Sequence, residues 1–485
     1  MNLRQKAVKG VAWTAIQSGG TQAISSIIFF LLARLLGPEV FGLVAMAGVF
    51  LAILQVFSEQ GFTEAIIQRN KLEPEHLDTA FWSNLGIGLL LTLLSIAAAK
   101  PVSILFNQPK LTPIIGCLSL GFLLGAFRAT QEAILRRQFN FMALAIRSLV
   151  ATGIGGIVGV VMAFLGYGVW SLVGQQLVNQ LVGVLVLWRS SNWRPGLKFS
   201  LNHFKELFAY GINLVGMNFL NFFNQRADDL LIGYFLGPVA LGYYSVPYRI
   251  FTMLAALLPG SAVQVALPTF SRLQEDPERL RQAFYTAGQL TSLICFPIFF
   301  GLAALAPELL PGLLGDKWIP SIPVMRVLAF VGVLFSISYF YGSVIMAMGK
   351  PDWAMKISFI NAVTSILAFL VAVRWGIVAV AVAFLLRVLV EFPIPLWATH
   401  KLIHLDMATY FGKYVAPLSG SLVMVAVLVG AREFLGSSMN LYAALLLYAV
   451  LGASVYSLTI FLFAPSLFQK ALNLLKFSFK KSSIT

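Results

Sequence analysis

Charge is scarce in this 485-residue chain: only 11% of residues are Asp, Glu, Lys or Arg, against roughly a quarter in soluble domains. That scarcity excludes a water-facing globular protein. Acidic residues are rarer still, 19 against 34 basic ones for a net charge of +15, yet no hydrophilic stretch is long enough to form the basic domain that a nucleic-acid binder presents. The two cysteines, Cys117 and Cys295, both lie in apolar runs, where a thiol packs as a small hydrophobe, so neither a disulfide nor a redox role is expected. Of the four histidines, His400 and His404 have metal-like spacing but only Asp406 beside them, and no metal site is expected there. There is no glycine-rich phosphate loop, no Ser/His/Asp grouping and no Gly-rich nucleotide signature, which argues against ATP-driven transport by this chain alone.

What is abundant is apolar sequence, 59% of the chain. A membrane-crossing helix needs roughly 20 mostly apolar residues, and runs of that length predict fourteen spans: 11–36, 41–65, 79–99, 111–132, 143–165, 168–188, 206–235, 239–267, 284–306, 321–347, 354–373, 377–398, 412–431 and 441–463. The first run follows Arg4, Lys6 and Lys9, as a signal peptide would, but it is too long for one and lacks a clear cleavage site. It reads as the first span. Loops alternate in charge: those on one side hold 22 of the 34 Lys and Arg residues and those on the other hold 6. Because cytoplasmic loops are enriched in Lys and Arg, both termini are expected in the cytoplasm. The basic balance is thereby mostly topology.

The sequence repeats. Leu36-Gly37-Pro38 with Gly42 recurs as Leu236-Gly237-Pro238 with Gly242, Ala80-Phe81-Trp82 as Ala283-Phe284-Tyr285, and Gly168-Val169 as Gly376-Ile377. A unit of six spans returns to its starting side, so the copies are parallel. The expectation is an all-α polytopic membrane protein with about 14 transmembrane helices. Two parallel six-helix repeats, 1–203 and 204–410, form two lobes around a central cavity, and 411–485 adds two C-terminal helices and a basic tail. Such a duplication places a transporter's substrate site between the copies.

Polar side chains follow the repeat. Gln17 and Gln22 share one face of the first span with Thr14, Ser18, Thr21 and Ser25; Asn213, Asn218, Asn221, Asn224, Gln225, Asp228 and Asp229 do the same on the seventh. Lipid cannot face such stripes, because unsatisfied polar groups in hydrocarbon cost several kcal/mol each. They line a water-filled cavity or bond helix to helix.

Six arginines lie within or at the ends of spans, and intramembrane ionisable groups default to functional hypotheses. Arg249 shares a face with Ser245, Tyr248 and Thr252 and is expected to point into the cavity. Arg387 has Glu391 one turn later, a substrate contact or a self-neutralised bridge. Arg226 stands beside Asp228 and Asp229, as a ligand contact or a local charge cluster. For Arg128, Glu132 lies at i,i+4 near a span end, and a structural pair is the leading reading. Arg147, with only Ser148 and Thr152 near it, is the weaker candidate, and Arg34 is read as snorkelling to the interface.

Several segments carry a resemblance: Ala33-Arg34-Leu35-Leu36-Gly37-Pro38-Glu39-Val40-Phe41-Gly42, then Glu59-Gln60-Gly61-Phe62 with Ala65-Ile66-Ile67-Gln68, and Gln225-Arg226-Ala227-Asp228-Asp229-Leu230-Leu231-Ile232-Gly233 running into Leu236-Gly237-Pro238 and Leu241-Gly242-Tyr243-Tyr244. With these the chain resembles the Wzx-type polysaccharide exporters of the multidrug/oligosaccharidyl-lipid/polysaccharide flippase superfamily, and most closely their colanic-acid-type lipopolysaccharide biosynthesis branch. The resemblance implies a flippase of the bacterial inner membrane. Its substrate would be an undecaprenyl-diphosphate-linked oligosaccharide, moved from the cytoplasmic to the periplasmic leaflet by alternating access, with membrane lipids and a polysaccharide polymerase as partners. It also implies cavity cations that hold the diphosphate and an ion gradient, Na+ or H+, that resets the carrier; no other cofactor is expected. The candidate substrate contacts are Arg249, Arg387, Arg226, Asn221, Asn224, Gln17 and Gln22, and the candidate coupling carboxylates are Asp228, Asp229 and Glu391. Of these, the resemblance covers Arg226, Asp228 and Asp229; the rest stand on depth and face. Two alternatives are a cation or drug antiporter of the same superfamily, which would favour cavity carboxylates and aromatics, and a membrane enzyme acting on lipid-linked sugars, which would need a sizeable periplasmic loop.

Overall fold

The computed structural model describes residues 3–58, 62–68, 72–257, 260–435 and 440–470. The Glu59-Gln60-Gly61 segment, Arg69, Lys71, Pro259 and the tail lysines Lys476, Lys480 and Lys481 lie outside them, as does the side chain of Asn213. The described residues are helical without strands, as a lipid-embedded chain requires, because only a helix or a closed barrel satisfies its backbone polar groups in hydrocarbon.

Thirteen described helices are long and apolar enough to cross a membrane. The expected span 206–235 and the expected span 239–267 as far as residue 257 fall on one of these, α8 (Leu201–Leu257), which is continuous except at Gly237, where φ 81° and ψ −177° break the helix; the end of the second expected span lies on α9. No side-chain-bearing residue adopts that conformation readily, so the glycine of the repeated Leu-Gly-Pro motif separates the two arms of α8.

Contacts divide the chain into two compact units, Met1–Gly242 and Tyr243–Thr485. The division falls within α8, whose Phe222 packs with Val49 and Val56 of the first unit. In the first unit α1 (Leu3–Leu35), α2 (Pro38–Ser58), α3 (Phe62–Gln68), α4 (Pro74–Leu105), α5 (Leu111–Arg137), α6 (Phe141–Phe164) and α7 (Val169–Ser190) follow in order. Here α4 packs on α5, α5 on α7, α6 on α7 and α3 on α5.

The second unit begins within the last arm of α8, at Tyr243, and continues through α9 (Gly260–Arg272), α10 (Pro277–Leu314), α11 (Ile322–Ser338), α12 (Tyr341–Ala347), α13 (Pro351–Ala372), α14 (Ile377–Glu391), α15 (Pro393–Ile403), α16 (Met407–Leu435) and α17 (Leu441–Phe463). The pairings of the first unit return as α10 on α11, α11 on α14, α13 on α14 and α9 on α12, so the weak sequence repeat corresponds to one packing scheme used twice. The helices outside the repeat attach through α10, which α16 and α17 both touch.

Helix starts are written into the sequence. Proline opens α4, α10, α13 and α15, where its missing N–H costs nothing. The repeat-equivalent glycines Gly168 and Gly376 both precede their helices at positive φ, 55° and 92°.

Candidate functional site

Three constellations of polar side chains sit inside these apolar helices. The first lies in the first unit, where α5 and α6 face each other. Glu132 Oε1 accepts from Arg136 Nε at 3.2 Å and Nη2 at 2.6 Å. Its Oε2 stands 3.5 Å from Arg147 Nη2 and 3.7 Å from Arg128 Nε. One carboxylate therefore answers three guanidinium groups, and the cluster keeps a local excess of positive charge. Arg147 is only 12% exposed, and its Nε is buried without a hydrogen-bond partner. From α1, Gln17 Nε2 donates to Ser148 Oγ at 2.9 Å, the hydroxyl that also takes Arg147 Nη1 at 3.1 Å. The polar face of the first span thus reaches the arginines through Gln17. Gln22 is half-buried one turn further along, with its backbone carbonyl accepting the Ser26 hydroxyl.

The second constellation is on the first arm of α8. Asp228 and Asp229 are buried at 4% and 3% exposure. Arg226 Nη1 donates to Asp229 Oδ2 at 3.0 Å, and Asp228 Oδ1 accepts from the Asp229 backbone N–H at 2.9 Å. Asp229 Oδ1 is buried without a hydrogen-bond partner. Asn224 is half-buried and Asn221 exposed.

The third is in the second unit, between α13 and α14. Arg387 Nη1 stands 3.1 Å from Glu391 Oε2, with the two side chains 8% and 11% exposed. Thr364 donates its hydroxyl to Glu391 Oε1, and Arg387 also donates to the Asn361 carbonyl at 3.3 Å while lying 5.1 Å over the Phe384 ring. The Asn361 amide, turned with its nitrogen inward, reaches Glu391 Oε2 at 3.2 Å. Arg387 and Glu391 close one end of a groove of about 640 Å³ whose walls are apolar, Leu367, Val371, Trp375 and Val382 among them. The i,i+4 pair is thus neutralised within itself.

The candidates drawn from the sequence are therefore distributed. Arg387 meets Glu391, Arg226 meets Asp229, and Gln17 meets Arg147 through Ser148. Arg249 is exposed on the second arm of α8, where its neighbour Tyr248 packs on Phe384 of α14 at 6.3 Å. The arginine cluster is what sequence reasoning underrated, because Arg147 has no charged neighbour along its own helix. Its signal was present only as Arg128, Glu132 and Arg136 at helical spacing, followed by one further arginine on the next span. A separate apolar groove of about 540 Å³ runs between α10, α16 and α17, lined by Pro297, Gly301, Met424, Gly452 and Tyr456.

Comparison with known proteins places this architecture. A family model described as polysaccharide biosynthesis protein matches residues 31–323. The chain is 30% identical to the succinoglycan biosynthesis transport protein ExoT of Rhizobium meliloti over 68% of this chain and 67% of that one. It is 28% identical to the lipopolysaccharide biosynthesis protein WzxC of Escherichia coli, over 80% and 79% of the two chains. Among solved structures, the lipid II flippase MurJ in an inward closed conformation aligns with TM-score 0.77 at 14% identity, over 94% of this chain and 99% of that one. An inward-facing multidrug resistance transporter of the MATE family aligns with TM-score 0.62 at 16% identity, over 80% and 98%. These two likenesses establish a shared fold.

Proposed function

The chain belongs to the polysaccharide biosynthesis protein family, and from that premise we propose that it is a flippase that carries a lipid-diphosphate-linked oligosaccharide across the bacterial inner membrane by alternating access. The relatives named as transport and lipopolysaccharide biosynthesis proteins support the transport class. The observation that carries the substrate chemistry is the surplus of guanidinium groups around Glu132.

A diphosphate cannot enter hydrocarbon unaided, since an unpaired ion there costs many kcal/mol. Arginine offers planar, paired donors that match phosphate oxygens. In this reading Arg147, Arg128 and Arg136 exchange their shared contact with Glu132 for the entering diphosphate, and Gln17 and Ser148 supply neutral donors beside it. Coupling is assigned to Asp229, whose unsatisfied Oδ1 is the place for a proton or a sodium ion. Glu391 is less suited, because Arg387, Thr364 and Asn361 already surround it.

The test is deletion of the gene, followed by analysis of lipid-linked intermediates. Completed repeat units retained on the cytoplasmic face, released by the wild-type gene but not by Arg147→Ala, are the expected result. Accumulation of unfinished units would instead point to an enzyme of glycan assembly.

A further inference from the structure

Outside these sites, two of the four histidines meet where α4 begins and α8 begins. His76 lies in the first turn of α4 and is buried at 4% exposure. His203, in the first turn of α8, lies against it with ring centroids 3.8 Å apart and the planes tilted by 33°. Glu73, the residue before α4, brings its carboxylate to 3.9 Å from His203 Nε2. One ligand atom from each of Glu73, His76 and His203 lies within 4.8 Å of the others.

Glu73 and His76 close a capping box on α4, in which the Glu73 carboxylate accepts from the His76 backbone N–H. His76 Nδ1 accepts a long bond of 3.3 Å from the Glu73 backbone N–H. The His203–Glu73 approach is beyond hydrogen-bond range, and His203 Nδ1 is buried without a hydrogen-bond partner, a condition that is rare in native proteins and asks for a ligand.

We infer that Glu73, His76 and His203 form a binding site for a divalent transition metal of the zinc class, with one position left for water. Two imidazoles and one carboxylate are a zinc ligand set, and ligand bonds near 2.0–2.2 Å place tetrahedral donors about 3.4 Å apart. The donors reach that spacing by closing about 1.4 Å. The exposed Glu73 side chain supplies most of this movement, and rotation of the two imidazoles supplies the rest, at the cost of the capping-box contacts between Glu73 and His76.

The position gives the metal a consequence. The connection between α7 and α8 is already fastened to α4: Gly196 N donates to Asp78 Oδ1 at 2.9 Å, Trp82 Nε1 donates to Gly196 O at 2.7 Å, and Ser200 N donates to Thr79 Oγ1 at 3.1 Å. A metal on His203 extends that fastening to the first turn of α8 itself, where the second repeat begins.

The experiment uses the full chain, purified in detergent with any affinity tag removed, stripped with a chelator and titrated with Zn2+, and separately with Co2+, whose visible bands report coordination geometry. The expected result is one Zn2+ per chain, a tetrahedral Co2+ spectrum, and a rise in melting temperature on adding Zn2+. His203→Gln and Glu73→Gln, at a partly buried and an exposed position, should each weaken Zn2+ binding at least tenfold and abolish the thermal shift, while His400→Gln leaves both unchanged. Equal Zn2+ affinity in wild type and His203→Gln would overturn the inference. So would a wild-type chain that binds no Zn2+, or an octahedral Co2+ spectrum.

Discussion

Gly42 and Gly242, which occupy the same place in the two copies of the repeated motif, meet in the folded chain. A Cβ on Gly42 would overlap the Pro238 carbonyl, and one on Gly242 would overlap the Pro38 carbonyl. Thus α2 and α8 cross backbone against backbone at the point where each copy of Leu-Gly-Pro starts a helix. Small residues permit such close approach in membranes.

Alanine at Gly42 or Gly242 therefore forces two backbones apart, and the expected cost is at least about 1–3 kcal/mol, the usual scale for overpacking. Gly48, six residues further along α2, has open space around the same position. Gly48→Ala should be neutral or slightly stabilising, as removal of a helical glycine generally is. Thermal unfolding of the three variants in detergent checks the contrast, and equal melting temperatures would refute the crossing.

Glu132→Gln leaves Arg128, Arg136 and Arg147 facing one another without their common anion. Its loss should destabilise by up to about 3–5 kcal/mol, the scale for an abandoned buried partner. Arg136→Gln removes a half-exposed cation and relieves repulsion, so it should cost under about 1 kcal/mol. An inorganic diphosphate that raises the melting temperature of wild type but not of Arg147→Ala would place the anion on this cluster.

The Arg387 and Glu391 pair predicts strong non-additivity. Arg387→Met or Glu391→Leu alone strands a charge among apolar walls and should cost about 3–5 kcal/mol, whereas the double variant should recover most of it, since apolar replacement of a buried pair is often neutral. A double-mutant cycle on the unfolding midpoint decides this. If the losses simply add, the two side chains are not coupled.

Asp229→Asn keeps the volume of a buried side chain but removes its charge. Arg226, about half exposed, can turn to water, so stability should change little while export falls by at least tenfold. Export is read as release of lipid-linked intermediates in a complemented deletion strain, with folding checked by size-exclusion profile. Full export by Asp229→Asn would remove this carboxylate from coupling.

Much of the architecture was legible along the chain because the bilayer imposes one-dimensional rules. Helix length follows from hydrocarbon thickness, and proline and glycine mark helix starts, as at Pro277 and Gly376. The i,i+4 pair Arg387 and Glu391 was legible for the same reason, since both partners ride on one helix. The two spans on either side of Gly237 were read correctly as separate, because a glycine-proline step interrupts a helix whatever surrounds it.

Contacts across helices were not legible. Arg147 looked isolated because its partner, Glu132, sits on the preceding span, and His76 and His203 are separated by most of the first repeat. By itself the sequence determined the membrane class, the spans, the repeat and the family, because each depends on composition, period or motif. Only the tertiary structure decided which buried charges are shared. That depends on how each helix is rotated about its axis, and the rotation is set by packing against neighbours that local sequence does not specify.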